Sequence, residues 1–94
     1  MKRYEIMYIL NADLSEEERK AEIEKIHGII TNGGGQIHDV NEWGIRDFAY
    51  PINYLTKGYY VVIKISANKE ILNEFERINK INPRVIRYLI VVDK

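Results

Sequence analysis

The stretch Tyr59-Tyr60-Val61-Val62-Ile63-Lys64-Ile65 is the strongest β-strand signal in the chain. Apart from Lys64, its residues are β-branched or aromatic, and such residues favour extended backbone. The odd positions are wholly apolar, whereas the even positions are mixed. We therefore expect a strand whose odd-numbered side chains, beginning with Tyr59, face a core.

Two more strands are predicted near the ends of the chain. Residues 3–10 read Arg-Tyr-Glu-Ile-Met-Tyr-Ile-Leu, with apolar side chains at every even position. Residues 84–92 follow Pro83, which cannot continue a preceding helix, and alternate in a similar way. Alternation of this kind is typical of a strand that lays one face on a core.

The segment 36–52 is also predicted to be extended, but its alternation is imperfect. The changes of phase imply at least one β-bulge, for which Gly44 is a candidate. Pro51 lacks a backbone donor, so it places this strand at a sheet edge or ends it. Residues 53–58 are interpreted as the turn that leads into the next strand.

Two helices are predicted from their caps. Ser15-Glu16-Glu17-Glu18 is a capping box, and the helix runs to about Asn32. Gly33-Gly34-Gly35 follows a helix instead of leading from a strand into one, so we interpret it as a helix end and not as a phosphate-binding loop. A second helix spans roughly residues 69–81, with Asn68 as its N-cap.

The predicted order β-α-β-β-α-β over residues 1–94 indicates one domain with the α+β ferredoxin-like fold, a split βαβ sandwich. Its four-stranded antiparallel sheet should have strand order 4-1-3-2, and both helices should cover one face. The second and fourth strands then form the edges. The side chains expected to face the helices are Ile6, Tyr8, Leu10, Val61, Ile63, Tyr88 and Ile90.

The helix-free face of this sheet should be more apolar than a water-facing sheet normally is. Its expected residues are Arg3, Met7, Ile9, Tyr60, Val62, Lys64, Arg87, Leu89 and Val91. Scattered apolar side chains are common on protein surfaces. These come from three adjacent strands, however, and a contiguous apolar patch marks a binding surface or an oligomer interface. We therefore expect a partner on this face.

Composition narrows the class of protein. The 94 residues, 46% hydrophobic and 30% charged, suit a globular domain with a single core. There is no cysteine, which excludes a disulfide framework and a thiolate nucleophile. The sequence has no apolar run of membrane-spanning length and no secretion signal after Met1. We expect a cytoplasmic protein.

The net charge of zero argues against strong, sequence-independent attraction to nucleic acid. The charges are unevenly placed, because residues 77–92 contain four basic side chains and no acidic one. Such a run forms either a basic patch or an ordinary solvated face. Any RNA binding must therefore be local.

No residues have the spacing of a catalytic or metal site. His27 lies on a predicted helix and His38 on a predicted strand, and neither has a His or Cys partner at a ligand spacing. Acyl-phosphate hydrolysis on this fold would need an arginine in a glycine-containing loop after the first strand, where this chain has Asn11-Ala12-Asp13-Leu14. We expect no enzyme, no metal, no cofactor and no small-molecule substrate.

Aromatic and basic residues are interleaved in two segments, 42–52 and Lys57-Gly58-Tyr59-Tyr60. This mixture suits base stacking, phosphate contact or capture of a protein partner. An edge hairpin with ordinary core aromatics has the same composition. The second segment matches the strand-3 motif of RNA-recognition domains only in part, because it departs at Tyr60 and Val61.

Five segments are informative together: Arg3-Tyr4-Glu5-Ile6-Met7-Tyr8-Ile9-Leu10-Asn11, Glu42-Trp43-Gly44 with Arg46, Ala49-Tyr50-Pro51-Ile52, Gly58-Tyr59-Tyr60, and Ile86-Arg87-Tyr88-Leu89-Ile90-Val91. Over nearly the whole chain, they resemble the family of the bacterial small-subunit ribosomal protein numbered six. The resemblance implies a ferredoxin-like constituent of the ribosome that binds the central domain of 16S ribosomal RNA. It also implies pairing with the small ribosomal protein numbered eighteen, whose basic surface would supply much of the phosphate contact.

The chain departs from this family at Ile45 and Asp47, where members commonly carry basic residues on both sides of Arg46. We expect Asp47 to cancel part of the field of Arg46. With the resemblance as a guide, RNA contacts are expected from Lys2, Arg3, Arg46, Lys57 and Arg87. Contacts with the partner protein are expected from Met7, Ile9, Tyr50, Tyr60, Val62 and Leu89, and for Tyr50 and Tyr60 packing against RNA is the alternative.

Two other classes of protein share these features. A ferredoxin-like regulatory or ligand-sensing module would dimerise through its open sheet face, and a structural module would self-associate there without a ligand. Both predict a homo-oligomer in solution. The ribosomal interpretation predicts a monomer when the protein is isolated.

Overall fold

The sheet has the strand order that the sequence predicts. The computed structural model describes residues 1–52 and 54–93. Its elements are β1 (Lys2–Asn11), α1 (Glu16–Asn32), β2 (Gln36–Ile52), β3 (Leu55–Ala67), α2 (Lys69–Lys80) and β4 (Val85–Val92). The strands pair antiparallel in the order β2-β3-β1-β4, which is 4-1-3-2 seen from the other edge. The ferredoxin-like prediction is confirmed.

Both ends of α1 form as their sequences predict. The Oγ of Ser15 accepts from the Glu18 N–H at 3.2 Å, and Oε1 of Glu18 accepts from the Ser15 N–H at 3.1 Å. At the other end Gly34 has a φ of 93°, which favours glycine. The N–H groups of Gly34 and Gly35 donate to the carbonyls of Thr31 and Ile30 at 3.1 and 2.9 Å. This is a Schellman motif, so the glycine run is a helix end.

The core lies between the two helices and one face of the sheet. Five of the predicted core residues, Ile6, Tyr8, Leu10, Val61 and Ile63, are completely buried. Tyr88 and Ile90 are half-buried and pack against this cluster. The helices contribute Ile26, Ile30, Ile71 and Phe75. Because all these side chains meet on one face, α1 and α2 cover the same side of the sheet.

The predicted turn over residues 53–58 is wrong, because β3 begins at Leu55. Asn53 lies outside the described residues. Lys57 and Gly58 resemble a turn in sequence, yet they pair with Asp47 and Arg46 of β2. Gly58 also pairs with Asn11 and is buried, so it is a ladder position where backbone and side chains approach closely.

The strand β2 is an edge strand, as Pro51 indicates, and its pairing with β3 shifts register three times. The shift between Glu42 and Gly44 is the predicted bulge, and Gly44 has a φ of 84°. A second shift falls between Ile37 and Asp39. The third, between Asp47 and Ile52, was not predicted from the sequence; it leaves residues 48–51 outside the regular ladder.

The basic run near the C-terminus does not form one patch. Arg77 forms an ion pair with Glu74 on α2. Arg84 lies 3.3 Å from Glu18 and 3.5 Å from the largely buried Glu22, and so connects α1 to the segment before β4. Of the four basic residues in this run, Arg87 is the one whose register places it on the helix-free face of the sheet, because it pairs with Ile9.

Candidate functional site

The helix-free face is organised in rows across the central strands. Tyr60 pairs with Ile9, and Ile9 pairs with Arg87. In the next row Val62 pairs with Met7, and Met7 pairs with Leu89. Opposed residues of antiparallel strands point to the same side of a sheet, so these side chains share one face. These two rows contain five of the six predicted partner-binding residues.

The prediction that this face is uncovered is wrong at two positions. Ile9 is only 4% exposed and Val62 only 7%. The irregular end of β2 is responsible for part of this shielding, because it carries Phe48 across the sheet. The Phe48 ring lies close enough to Gly58 that a β-carbon there would meet Phe48 Cζ at 2.9 Å and Ile9 Cγ2 at 2.4 Å. The chain therefore shelters this corner itself.

The rest of the helix-free face stays accessible. Leu89 is 54% exposed and Val91 43% exposed, while Met7 is half-buried. Tyr50, from the irregular end of β2, is 65% exposed. The accessible apolar surface therefore runs along β4 and the adjoining part of β1, and Tyr50 lies at its β2 end.

A shallow groove of about 230 Å³ lies at the β2 end of this surface, between Tyr50 and Met7. It is lined by Met7, Ile9, Phe48, Ala49, Tyr50, Ile52, Tyr60 and Arg87. Four predicted partner-binding residues and one predicted RNA-binding residue thus meet at one place. An apolar groove with a cation at its rim can accept a partner side chain and still contact an anion.

An aromatic cluster lies beside this groove. The bulge at Gly44 makes Trp43 an additional residue opposite β3 and directs its indole toward Tyr60. The two rings are nearly parallel, at an interplanar angle of 7° and a centroid distance of 6.2 Å. The Phe48 ring also lies beside Tyr60, with a centroid distance of 6.2 Å and an interplanar angle of 56°. Trp43 remains 49% exposed.

Arg46 extends this cluster toward solvent. Its Cζ lies 5.6 Å from the centroid of the Trp43 ring, within the range of a cation–π contact. The expected cancellation of part of the Arg46 field by Asp47 stays a prediction. Asp47 is one residue further along β2, on the opposite face, where its partner in the ladder is Lys57. Within residues 1–52 and 54–93, Arg46 forms no ion pair.

The five predicted RNA-binding residues do not form one cluster. Arg3, Arg46 and Arg87 belong to the helix-free face by register. Lys2 pairs with the buried Ala67 and Lys57 pairs with Asp47, so both belong to the helix-covered side. Alternation along the strands predicts this difference. Lys2 is adjacent to Arg3 in β1, so the two side chains point to opposite faces, and Lys57 is an odd position of β3, like the buried Val61 and Ile63.

Arg3 is also far from Arg46. Arg3 pairs with Ser66 at one end of β3, and Arg46 pairs with Gly58 near the other end. Eight residues of strand separate these two positions, which corresponds to about 27 Å at ~3.4 Å per residue. Arg87 therefore lines the groove, Arg46 stands at the aromatic cluster on the opposite edge strand, and Arg3 marks a separate point on the same face.

A polar cluster occupies the opposite side, between α1 and the sheet. The hydroxyl of the buried Tyr8 lies 2.9 Å from His27 Nε2, and Tyr59 donates to Glu42 Oε1 at 2.8 Å. Burial raises the pKa of Tyr8 and lowers the pKa of His27, although the nearby Glu42 opposes the latter shift. Arg19 lies over the Tyr59 ring at 4.3 Å. These groups satisfy one another, so they stabilise the fold.

Across 1–52 and 54–93, no three His, Cys, Asp or Glu side chains are grouped so that they could hold a metal ion. In the same part of the chain, neither helix has the length and hydropathy needed to cross a membrane.

Trp43 and Phe48 were not among the predicted site residues. Their aromatic character was evident, but their positions depend on two bulges in β2. A glycine directly after an aromatic residue in an edge strand is the available signal for Trp43, because a bulge there changes the face on which the aromatic lies. No comparable signal precedes Phe48.

Comparison with known proteins agrees with this geometry. The family model for ribosomal protein S6 matches residues 3–92. The crystal structure of 30S ribosomal protein S6 from Thermotoga maritima superposes with a TM-score of 0.92 at 32% sequence identity. The match covers 98% of this chain and 87% of that one. The resemblance first inferred from sequence segments is confirmed.

Proposed function

The chain belongs to the ribosomal protein S6 family, and from this premise we propose that it binds the central domain of 16S ribosomal RNA together with the small ribosomal protein numbered eighteen. Members of the family are structural components of the small subunit of the cytoplasmic ribosome. In this proposal, the RNA and the partner protein both bind to the helix-free face of the sheet. We propose no catalytic role and no cofactor.

The partner protein is assigned to the apolar part of this face. Leu89, Met7 and Tyr60 stand in adjacent rows, and Tyr50 borders the same groove. Ile9 and Val62 are buried, so they form the floor beneath these residues and contribute little contact area of their own. An apolar centre of this kind, with polar residues at its rim, is the usual anatomy of a protein–protein interface.

RNA is assigned to the basic rim of the groove. Arg87 lines the groove, and Arg46 stands at the adjoining aromatic cluster. Arg3 is a more distant point on the same face, while Lys2 and Lys57 belong to the helix-covered side, so this surface does not include them. A protein with no net charge gains little from long-range attraction, so binding together with a basic partner is physically reasonable.

The main support for the proposal is the groove that is lined both by predicted partner-binding residues and by a predicted RNA-binding residue. Four predicted partner-binding side chains and Arg87 line one depression on the face that neither helix covers. The lining of this depression is apolar and aromatic, and its charged residue is Arg87. It has the apolar area and the cation needed to bind a protein and an RNA at the same time.

The proposal is tested by measuring assembly with the partner protein and a 16S central-domain RNA over a range of salt concentrations. The double variant Arg46→Ala with Arg87→Ala should lower the slope of log K against log salt by about 1.4 to 1.8, since each phosphate contact contributes roughly 0.7 to 0.9. The matched control, Lys25→Ala with Lys80→Ala, removes the same charge from exposed helix positions and should leave the slope unchanged.

An unchanged slope in the arginine variant would show that these residues do not contact RNA. The mass of the isolated protein gives a second check, because the proposal expects a monomer. A stable homodimer that melts at a higher temperature with a metabolite would favour the regulatory module instead. A homodimer indifferent to ligands would favour the self-association module.

A further inference from the structure

Trp43 lies between two residues to which the proposed function gives roles. One ring face is directed toward Tyr60, and the guanidinium of Arg46 stands over the indole. We propose that Trp43 is a positioning residue for RNA binding, which holds Arg46 in the orientation that contacts a phosphate. This inference rests on the proposed function and adds to it a residue that was not among the expected contacts.

The backbone of β2 makes this arrangement possible. In a regular strand, Trp43 would lie on the face opposite both Glu42 and Gly44. The bulge pairs Glu42 with Val61 and Gly44 with Tyr60, and leaves Trp43 between them. Gly44 has no side chain and a φ of 84°, so the indole can occupy the surface beside Tyr60. Arg46 then follows on the same face, two residues after Gly44.

The acidic neighbours of Arg46 are directed elsewhere. Asp47 is on the other face, opposite Lys57. Glu42 accepts a hydrogen bond from Tyr59 on the helix-covered side. Since neither carboxylate competes for the guanidinium, the contact that orients Arg46 is the one with the Trp43 ring. The charge of Arg46 is therefore available to a ligand in spite of the acidic residue beside it in the sequence.

A cation–π contact leaves the donors of the guanidinium available. The plane of the group can lie against the ring while its N–H groups point outward, as recognition of a phosphate requires. Holding a long side chain in one region of space also reduces the conformational entropy lost on binding. Trp43 can thus strengthen RNA binding without contacting RNA itself.

The test compares Trp43→Leu, Trp43→Phe, Arg46→Ala and the double variant Trp43→Leu with Arg46→Ala in the same salt series. Leucine keeps apolar contact with Tyr60 but has no aromatic ring for Arg46 to lie against. Phenylalanine keeps an aromatic ring at this position. Trp43→Leu should weaken assembly about two- to five-fold and lower the salt slope although it removes no charge. Trp43→Phe should restore most of the slope, and the double variant should resemble Arg46→Ala alone.

Ile45→Ala serves as the matched control. It truncates a similarly exposed apolar side chain, on the opposite face of the same strand, and should leave the slope unchanged. A Trp43→Leu slope equal to that of the wild type, with a lowered Arg46→Ala slope, would overturn the positioning role and leave the proposed function standing. An unchanged Arg46→Ala slope would overturn the assignment of Arg46 and this inference with it.

The free protein provides an independent measurement. Trp43 is the only tryptophan in the chain, so its fluorescence reports on this cluster alone. Arg46→Ala should shift the emission of the isolated protein, while the Lys25→Ala control should not. Identical emission spectra for the wild type and Arg46→Ala would show that the contact is absent in solution, and would overturn the inference without reference to RNA.

Discussion

The two faces of the sheet are both rich in apolar side chains, but they are covered in different ways. On one face, α1 and α2 close a core in which Tyr8, Ile63 and Phe75 have no exposed area. On the other face, shielding reaches Ile9 and Val62, while Leu89 and Val91 remain accessible. The helices of the chain itself cover the first face. The second face is covered by the chain only in part.

This difference separates stability from recognition. Side chains beneath the helices contribute to the free energy of unfolding through burial and close packing. The accessible side chains of the helix-free face, such as Leu89 and Val91, are already about half in solvent, so their removal changes the free energy of unfolding little. Their apolar area is available to a partner instead. Mutations on the two faces should therefore affect different measurements.

Among these mutations, Phe75→Ala should change the free energy of unfolding most. Phe75 is completely buried and packs edge-on against Tyr88, with a centroid distance of 5.5 Å. Loss of this ring leaves a cavity under the helices, and we expect unfolding to become easier by about 3–5 kcal/mol. Chemical denaturation measures the change. The folded fraction should still assemble with RNA and the partner protein at wild-type affinity.

The matched control for this change is Leu89→Ala on the other face. It also truncates a large apolar side chain, but one that is 54% exposed. Its effect on the free energy of unfolding should stay within about 0.5 kcal/mol. Comparable losses of stability in the two variants would show that the helix-free face is part of the core after all.

The next effect concerns the corner of the helix-free face that Phe48 shelters. Gly58 is buried on the helix-free side, and a β-carbon there would meet Ile9 Cγ2 at 2.4 Å and Phe48 Cζ at 2.9 Å. Gly58→Ala should therefore destabilise the protein by about 1–3 kcal/mol, as measured by chemical denaturation. Phe48→Ala in the same background should recover part of this loss, since it removes one of the two obstructions.

Gly34→Ala is a useful contrast, because nothing lies within 4 Å of a β-carbon at that position and its cost arises from backbone conformation alone. Phe48→Ala should give that variant no recovery. If Phe48→Ala fails to rescue Gly58→Ala, Phe48 does not shelter this corner in the way the structure indicates.

The same corner shows where prediction from sequence succeeded and where it failed. Regular alternation was sufficient for the strands that form the core face, and local caps at Ser15 and Asn68 located both helices. These signals act over a few residues. The strand order followed from the order of the elements. Each helix connects two parallel strands, and such crossover connections are right-handed.

The failures arose from contacts between residues that are distant in the sequence. Gly58 resembles a turn residue, but its place in the ladder depends on the approach of Phe48 and Ile9. The direction of Arg46 depends on a bulge that shifts the phase of β2 relative to β3. Propensity and alternation describe one segment at a time, so they cannot predict which side chains a bulge will bring together.

The third prediction concerns recognition alone. Leu89→Asp places a charge in the accessible apolar area and should weaken assembly with the partner protein about ten-fold or more, because the carboxylate must be desolvated on binding. Titration of the partner protein at fixed RNA concentration measures this. Val92→Asp is the matched control: Val92 has 59% exposure on the same strand but belongs to the helix-covered side.

Val92→Asp should bind like the wild type, and both variants should unfold at similar denaturant concentrations. Equal weakening by the two aspartates would indicate a general effect of charge on β4. It would contradict a contact specific to the helix-free face.

The smallest effect comes from the polar cluster under α1. Burial lowers the pKa of His27 below its ordinary value of 6.5, so protonation of His27 opposes folding. The stability that depends on neutral His27 is fully present above about pH 6.5 and is lost as the pH falls below that value. His27 lines a second groove, between α1 and β2, and the charged groups that line it too are Glu16, Arg19, Lys20 and Glu24 of α1 and Glu42 of β2.

The measurement is the free energy of unfolding of the wild type, Tyr8→Phe and His27→Gln between about pH 8 and about pH 5. Tyr8→Phe removes the hydroxyl that lies 2.9 Å from His27 Nε2 and should cost about 1 kcal/mol at the higher pH. His27→Gln should flatten the pH dependence between the two limits, because glutamine does not titrate. A wild-type curve no steeper than that of His27→Gln would mean that the imidazole accepts a proton in the folded state as readily as in water. The helix-covered face would then be more open to solvent at α1 than its burial indicates, and the contrast between the two faces would be weaker there.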